Sequence, residues 1–173
     1  MPLALGTIDL GRLRLRPGDT WTHAVEVELE PFVFGGQRYE ARPSPVSVEL
    51  RIARASGATV LDLQLAARLS GPCMRCLGHA EVEVRASVRE LHDPAAPPAD
   101  ELRSEYVAEE QLALGTWVRD AVALALPAQI LCRPDCAGLC SVCGRDLNVE
   151  PHEHVELEAD PRWAALEALR DAL

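Results

Sequence analysis

Apolar and polar residues alternate through the first half of the chain and change to a helical spacing in the second. Residues 20–30 are the clearest case: Trp21, His23, Val25, Val27 and Leu29 fall on one face, with Glu26, Glu28 and Glu30 opposite. That period predicts a half-buried strand, with His23 as a satisfied core or rim histidine. The same period recurs over residues 46–53, 59–67 and 80–91, with Ser56-Gly57 as the turn between the first two. Residues 11–17 alternate as well, predicting an edge strand with Leu13 and Leu15 on one face and Arg12, Arg14 and Arg16 on the other. Guanidinium groups so placed stand about 6.8 Å apart and could follow a row of phosphates. The same charges, closed by Pro17, would equally serve to blunt a sheet edge. Residues 32–45 read as a loop turning at Gly35-Gly36.

From residue 109 the spacing is helical. Leu114, Trp117, Val118, Ala121, Val122, Leu124 and Ala125 cover one broad face, Glu109 and Glu110 suit a helix start, and Pro127 stops it. This predicts a helix over residues 111–126 lying across the sheet. Asp120 falls among its apolar positions and, if buried, needs an Arg or a backbone donor. Its reading is structural, since no nucleophile or base is recognisable beside it. Residues 92–104 carry Pro94, Pro97 and Pro98 without periodicity and predict a mobile surface loop inside one body. Near the end, Asp160 as N-cap and Pro161 at the first helical position predict a short terminal helix. Its stripe of Trp163, Leu166, Leu169 and Leu173 would dock on the parent domain or offer a partner a groove-binding face.

At 173 residues and 48% apolar content, the chain can bury one real core and carry a small appendage besides. Aromatic residues make up only 4%, so that core is aliphatic. The first 15 residues lack a basic segment followed by an apolar run, and the longest nearly apolar stretch, 121–131, is too short to span a bilayer. A cytoplasmic protein without membrane contact is the expectation, and there closely spaced cysteines favour metal over disulfides. The net charge of −10 is uneven: residues 1–89 hold 11 Arg against 10 acids, and residues 90–173 hold 6 Arg against 17 acids. The second half would repel a bare phosphate backbone, so any nucleic-acid contact belongs to the first half or to a partner. All 17 basic residues are Arg, which a GC-rich genome explains more simply than selection for phosphate contacts.

Eight soft or borderline metal ligands stand in four pairs: Cys73/Cys76, Cys132/Cys136, Cys140/Cys143 and His152/His154. Zinc favours four-coordinate sites of Cys and His built from two such knuckles. The local solution joins Cys140, Cys143, His152 and His154 around residues 144–151, leaving Cys73, Cys76, Cys132 and Cys136 to meet across the fold. Glycines at 71 and 78 let the first pair curl at a hairpin tip. The competing scheme is one four-thiolate site from Cys132, Cys136, Cys140 and Cys143. Two structural zinc ions are expected, each linked to about 10–16 kcal/mol of apparent binding energy. A redox role for Cys73-Met74-Arg75-Cys76 lacks the βαβ context. A catalytic zinc would need an open position and a base, for which Glu153 is the visible candidate. The fold expectation is therefore α+β. Residues 1–136 form an antiparallel β-sheet meander, open or barrel-like, packed by one long helix, and residues 137–173 form a C-terminal zinc knuckle and short terminal helix as one structural unit.

Four stretches resemble the YceD family, the large ribosomal RNA subunit accumulation proteins. They are Cys73-Met74-Arg75-Cys76-Leu77, Leu124-Ala125-Leu126-Pro127, the run from Cys136-Ala137-Gly138-Leu139-Cys140 through Cys143-Gly144 to Leu147-Asn148, and Asp160-Pro161-Arg162. The resemblance covers roughly residues 60–172, and Asp120 matches an acidic position of the family's helix. Relatives usually carry Cys-x-Cys where this chain has His152-Glu153-His154, an exchange best understood at a metal-binding position. Some relatives keep only the first cluster, which makes the Cys73/Cys76 site the more basic feature. The resemblance implies a non-enzymatic factor in accumulation of 23S ribosomal RNA and large-subunit biogenesis. With its acidic second half, the chain is expected to act through a basic ribosomal protein or a large-subunit assembly intermediate, with rRNA contact indirect. The alternatives are an RNA-binding zinc module using Arg12, Arg14, Arg16, Arg51 and Arg54, and a zinc-dependent hydrolase.

Overall fold

The computed structural model describes residues 6–97 and 100–154. Its strands are β1 (Ile8–Asp9), β2 (Thr20–Val27), β3 (Phe32–Phe34), β4 (Gln37–Arg42), β5 (Val46–Arg54), β6 (Thr59–Pro72), β7 (His79–His92), β8 (Val107–Ala108) and β9 (Gln111–Leu112), followed by the helix α1 (Leu114–Leu124). The chain divides into two compact units, Met1–Cys136 and Ala137–Leu173.

Strand β6 organises the first unit. Along one side it pairs with β7 without interruption, from Thr59↔His92 to Pro72↔His79. Its other side is shared: β5 takes the first half, ending at Val48↔Leu65, and β4 takes the second, from Arg42↔Arg68 to Glu40↔Ser70. Strand β2 then pairs β5, and β3 pairs β4, all antiparallel. The period of two puts Leu61, Leu63, Leu65, Ala67 and Leu69 of β6 inside, where all are buried, together with Val46, Val48, Leu50 and Ile52 of β5. Burying one such side chain contributes about 1.5–3 kcal/mol. Helix α1 lies against β7 and β2 and covers this face with Leu114, Trp117, Val118, Ala121 and Val122. Strands β2 and β7 are not paired with each other, so the sheet is open and not a barrel.

Three expectations need correction. Residues 32–45 are not a loop: Phe32 pairs with Tyr39 across the β3–β4 hairpin, both rings are buried, and Gly35 and Gly36 turn at φ 57° and 78°. Residues 11–17 are not a strand. A 3-10 turn spans Gly11–Leu13, because the Asp9 carboxylate accepts the Arg12 N–H at 3.1 Å and bends the chain locally, and Arg14 follows at φ 49°. The evenly spaced row of Arg12, Arg14 and Arg16 on a strand is therefore absent, although Leu13 and Leu15 still pack against the core.

The helix is shorter than expected, starting at Leu114 rather than residue 111. Glu109 and Glu110, at φ 49° and 59°, form the turn between β8 and β9, and the Leu10 N–H donates to the Glu110 carbonyl at 2.8 Å. Pairing of β9 with β1 overrides the helical spacing there. Asp120 is only half-buried, so the condition for an Arg or backbone donor is not met, and the Tyr106 hydroxyl donates to it at 3.2 Å. His23 is exposed at the rim, its ring 4.5 Å from that of Trp21.

The described residues 92–97 and 100–104 are tied together, with the Asp93 N–H donating to the Leu102 carbonyl at 2.7 Å and Arg103 to the Ala96 carbonyl at 3.1 Å. The terminal helix expected from Asp160 onward lies outside the described residues. Among the described residues no helix is long and apolar enough to cross a membrane.

Candidate metal centres

The β6–β7 turn brings the first pair of cysteines to the end of the long hairpin. Cys73 donates its N–H to the Gly78 carbonyl at 2.6 Å, Leu77 donates to the Cys73 carbonyl at 3.0 Å, and Leu77 turns through φ 59°. This tight curl sets both sulfurs toward the segment that follows α1. That segment is held in turn: the Met74 N–H donates to the Ile130 carbonyl at 2.9 Å, and the Ile130 N–H to the Met74 Sδ at 3.3 Å.

The sulfurs of Cys73, Cys76, Cys132 and Cys136 consequently lie within 4.8 Å of one another. Cys73 and Cys136 are 3.8 Å apart and Cys76 and Cys132 3.7 Å apart. A tetrahedral metal with bonds of about 2.3 Å to sulfur has an edge of about 3.8 Å. A disulfide, at about 2.05 Å, is far shorter, and all six cysteines are free thiols. Cys73 and Cys136 form the buried side, at 0% and 1% exposure, while Cys132 faces solvent.

The electrostatics suit a cation. Burial is the largest influence on Cys73 and opposes its ionisation, yet N–H groups of Cys76, Arg75 and Cys132 aimed at its sulfur hold its pKa down to about 6. At Cys132 desolvation, then the neighbouring thiols of Cys136, Cys76 and Cys73, push the thiol up to about 12. One thiolate forms readily and further ones repel it. A divalent ion at the centre would reverse that repulsion.

The second unit gathers Cys140, Cys143, His152 and His154, with donor atoms again within 4.8 Å of one another. Cys140 donates its N–H to the Arg145 carbonyl at 2.8 Å, Gly144 donates to the Cys140 carbonyl at 2.9 Å, and Gly144 turns at φ 72°. Asn148 closes the unit by accepting the Ala137 N–H at 2.8 Å, and Leu147 donates to the Gly138 carbonyl at 2.9 Å. Nδ1 of His152 lies 2.7 Å from the Glu150 carbonyl, a contact that fixes the ring with Nε2 toward Cys143, 3.1 Å away. The N–H groups of Cys143 and Val142 lower Cys140 to about 6. The Glu150 carbonyl, then Cys140, raise His152.

These two four-donor groups are the arrangement found; Cys132 and Cys136 converge with Cys73 and Cys76, not with Cys140 and Cys143. Glu153 is exposed and belongs to neither group. Of the arginines singled out from sequence, Arg12 pairs with Asp9 at 3.2 Å, Arg51 with Asp62 at 3.7 Å, and Arg54 donates to the Thr59 hydroxyl at 2.7 Å. The alternation missed Arg75. Its Nη1 donates to the Cys136 carbonyl at 3.1 Å and its Nε to the Gln129 side chain at 3.2 Å. Its position between two cysteines was the only signal in the chain.

The chain is 33% identical, over 171 residues, to uncharacterized proteins of Mycobacterium bovis and Mycobacterium tuberculosis, covering 92% of this chain and 79% of each relative. An uncharacterized protein of Mycobacterium leprae is 31% identical over 128 residues, covering 71% of this chain and 58% of the relative. No solved structure matches significantly. The family model described as large ribosomal RNA subunit accumulation protein YceD matches residues 61–170, a range that contains both groups of Cys and His residues and helix α1. The chain belongs to the YceD family.

Proposed function

We propose that this protein is a non-enzymatic cytoplasmic factor in the accumulation of 23S rRNA and in large-subunit biogenesis, stabilised by two structural zinc ions. It acts through a ribosomal protein or a large-subunit assembly intermediate, with rRNA contacted indirectly. The observation that carries the reading is the first sulfur group, which ties the β6–β7 tip to the segment after α1 and takes all four corners of a tetrahedron from the protein. Closed four-donor sites of this kind hold folds together, whereas catalytic zinc keeps a position open for water or substrate. Cys and His donors in tetrahedral array favour zinc over harder ions such as magnesium or calcium. The family description supplies the ribosomal context. The 17 acids against 6 arginines of residues 90–173 favour a basic protein over bare RNA as the direct partner.

Two measurements test this. Metal analysis of protein purified anaerobically without chelator should give two zinc ions per chain; one or none would defeat the two-site reading. Affinity capture after nuclease treatment should return ribosomal proteins. Salt-sensitive binding of rRNA fragments that disappears when Arg12, Arg14 and Arg16 become Ala would instead establish the RNA-binding module, and hydrolysis abolished by Glu153→Gln the enzyme.

A further inference from the structure

Strand β7 is the longest of the three outermost strands of the main sheet, β2, β3 and β7, and its outer edge is open. It pairs with β6 over 14 residues without a bulge, and no proline interrupts it. Its far end is covered: Ser104 donates its N–H to the Leu91 carbonyl at 3.1 Å, and His92 bridges to Arg103. From residue 79 to 90, the backbone groups facing away from β6 have no hydrogen-bond partner among the described residues. Natural sheets usually shorten, bulge or cover such an edge, because it is a template for another strand.

The side chains along the edge are ordered. On the solvent face the acids Glu81 and Glu83 come first and the arginines Arg85 and Arg89 follow, all exposed. On the other face Ala80 and Val84 are buried, while Val82, Ala86 and Val88 are only partly covered and continue the core to the edge. A strand with acids in its first half and arginines in its second is complementary to itself when reversed.

We propose that β7 pairs antiparallel with β7 of a second copy of this chain, about a two-fold axis at Val84. Residue 79 then stands opposite residue 89, and so on inward. Glu83 faces Arg85 of the second copy and Arg85 faces its Glu83, extending the 2.8 Å pair that the two already make within the strand into a ring of alternating charge. On the inner face Val82 meets Ala86, Ala80 meets Val88 and Val84 meets itself, so the partly covered valines gain apolar neighbours. Neighbouring registers are worse. An axis at Arg85 sets that residue against its own copy, and an axis at Ala86 sets Val82 against Glu90. The same surface on both partners makes the contact closed at two copies.

Sedimentation of the full, zinc-loaded chain across a concentration series tests this. The mass should rise from 18.8 kDa toward twice that value, with amide exchange over residues 79–89 slowing in step. Arg85→Glu or Glu83→Arg alone sets like charges opposite each other twice and should weaken association roughly tenfold. The double variant with both charges exchanged should restore it. Both side chains are exposed, so the thermal midpoint serves as the folding control. A chain that stays at 18.8 kDa up to its solubility limit, or a dimer indifferent to both single reversals, overturns the proposal. Exchange of residues 79–89 that does not change with concentration overturns it too, independently of any variant.

Discussion

The guanidinium of Arg75 donates to the backbone carbonyl of Cys136 across 61 positions of chain, at 3.1 Å. It thereby fastens one cysteine knuckle to the other without touching a sulfur, and a second bond, to Gln129 at 3.2 Å, fixes its plane. Arg75→Ala should lower stability by about 1–2 kcal/mol and speed zinc loss to a chelator. Arg75→Lys should recover little, because a lysine cannot make both bonds from one planar group. Denaturant unfolding and chelator competition read the two effects separately.

Removing one donor from each group should separate them. Cys73→Ser takes away a buried thiol joining the β6–β7 tip to the segment after α1, so loss of that ion should loosen the Met1–Cys136 unit. Cys140→Ser should cost one ion as well while leaving the circular dichroism and slow amide exchange of β5 and β6 unchanged. Metal content falling from two to one per chain in both variants, with different exchange maps, is the expected result.

Arg119 of α1 donates to the Glu30 and Pro31 carbonyls at 2.8 and 3.4 Å and lies 4.4 Å above the Phe32 ring. Here the helix is anchored to the turn after β2. Arg119→Ala should destabilise the fold by about 1–3 kcal/mol, measured by urea unfolding. Arg119→Met, which keeps the length but not the donors, should recover only a minor part.

Burial, then the Asp120 carboxylate that accepts from its hydroxyl, push Tyr106 up to about 12. Burial followed by Cys73 raises Tyr39 as well. A raised acid pKa in the fold means the native state holds its proton more tightly than the unfolded chain does. The associated stability is complete below the unfolded value of about 10 and is lost as pH climbs from there through about 12. Absorbance titration of the two tyrosines should show neither ionising at its ordinary value, and Tyr106→Phe should flatten the loss of stability above pH 10.

Alternation was a sound guide wherever a strand had one buried face, as in β5, β6 and β7, and it failed where a partner strand overruled local preference. Glu109 and Glu110 look like a helix start, but β9 is held by β1, so the two acids occupy a left-handed turn instead. Phe32 and Tyr39 looked like loop residues because the hairpin that pairs them is short, and β4 is stabilised through β6, a strand remote in sequence that it meets from Arg42↔Arg68 to Glu40↔Ser70. Residues 11–17 alternate without becoming a strand, since the Asp9 carboxylate offers the Arg12 N–H a nearer partner than any sheet does.

By itself the sequence determined the period-two strands, the turn glycines, the order of the four ligand pairs and the motif shared with the YceD family. All of these depend on residues close together in the chain, where spacing alone carries the chemistry. Tertiary structure decided that the sheet stays open, that β6 serves β4, β5 and β7 at once, and that Arg75, Arg119 and Tyr106 hold distant segments together. Those outcomes rest on hydrogen bonds and packing between residues far apart in sequence, whose energies no local pattern encodes.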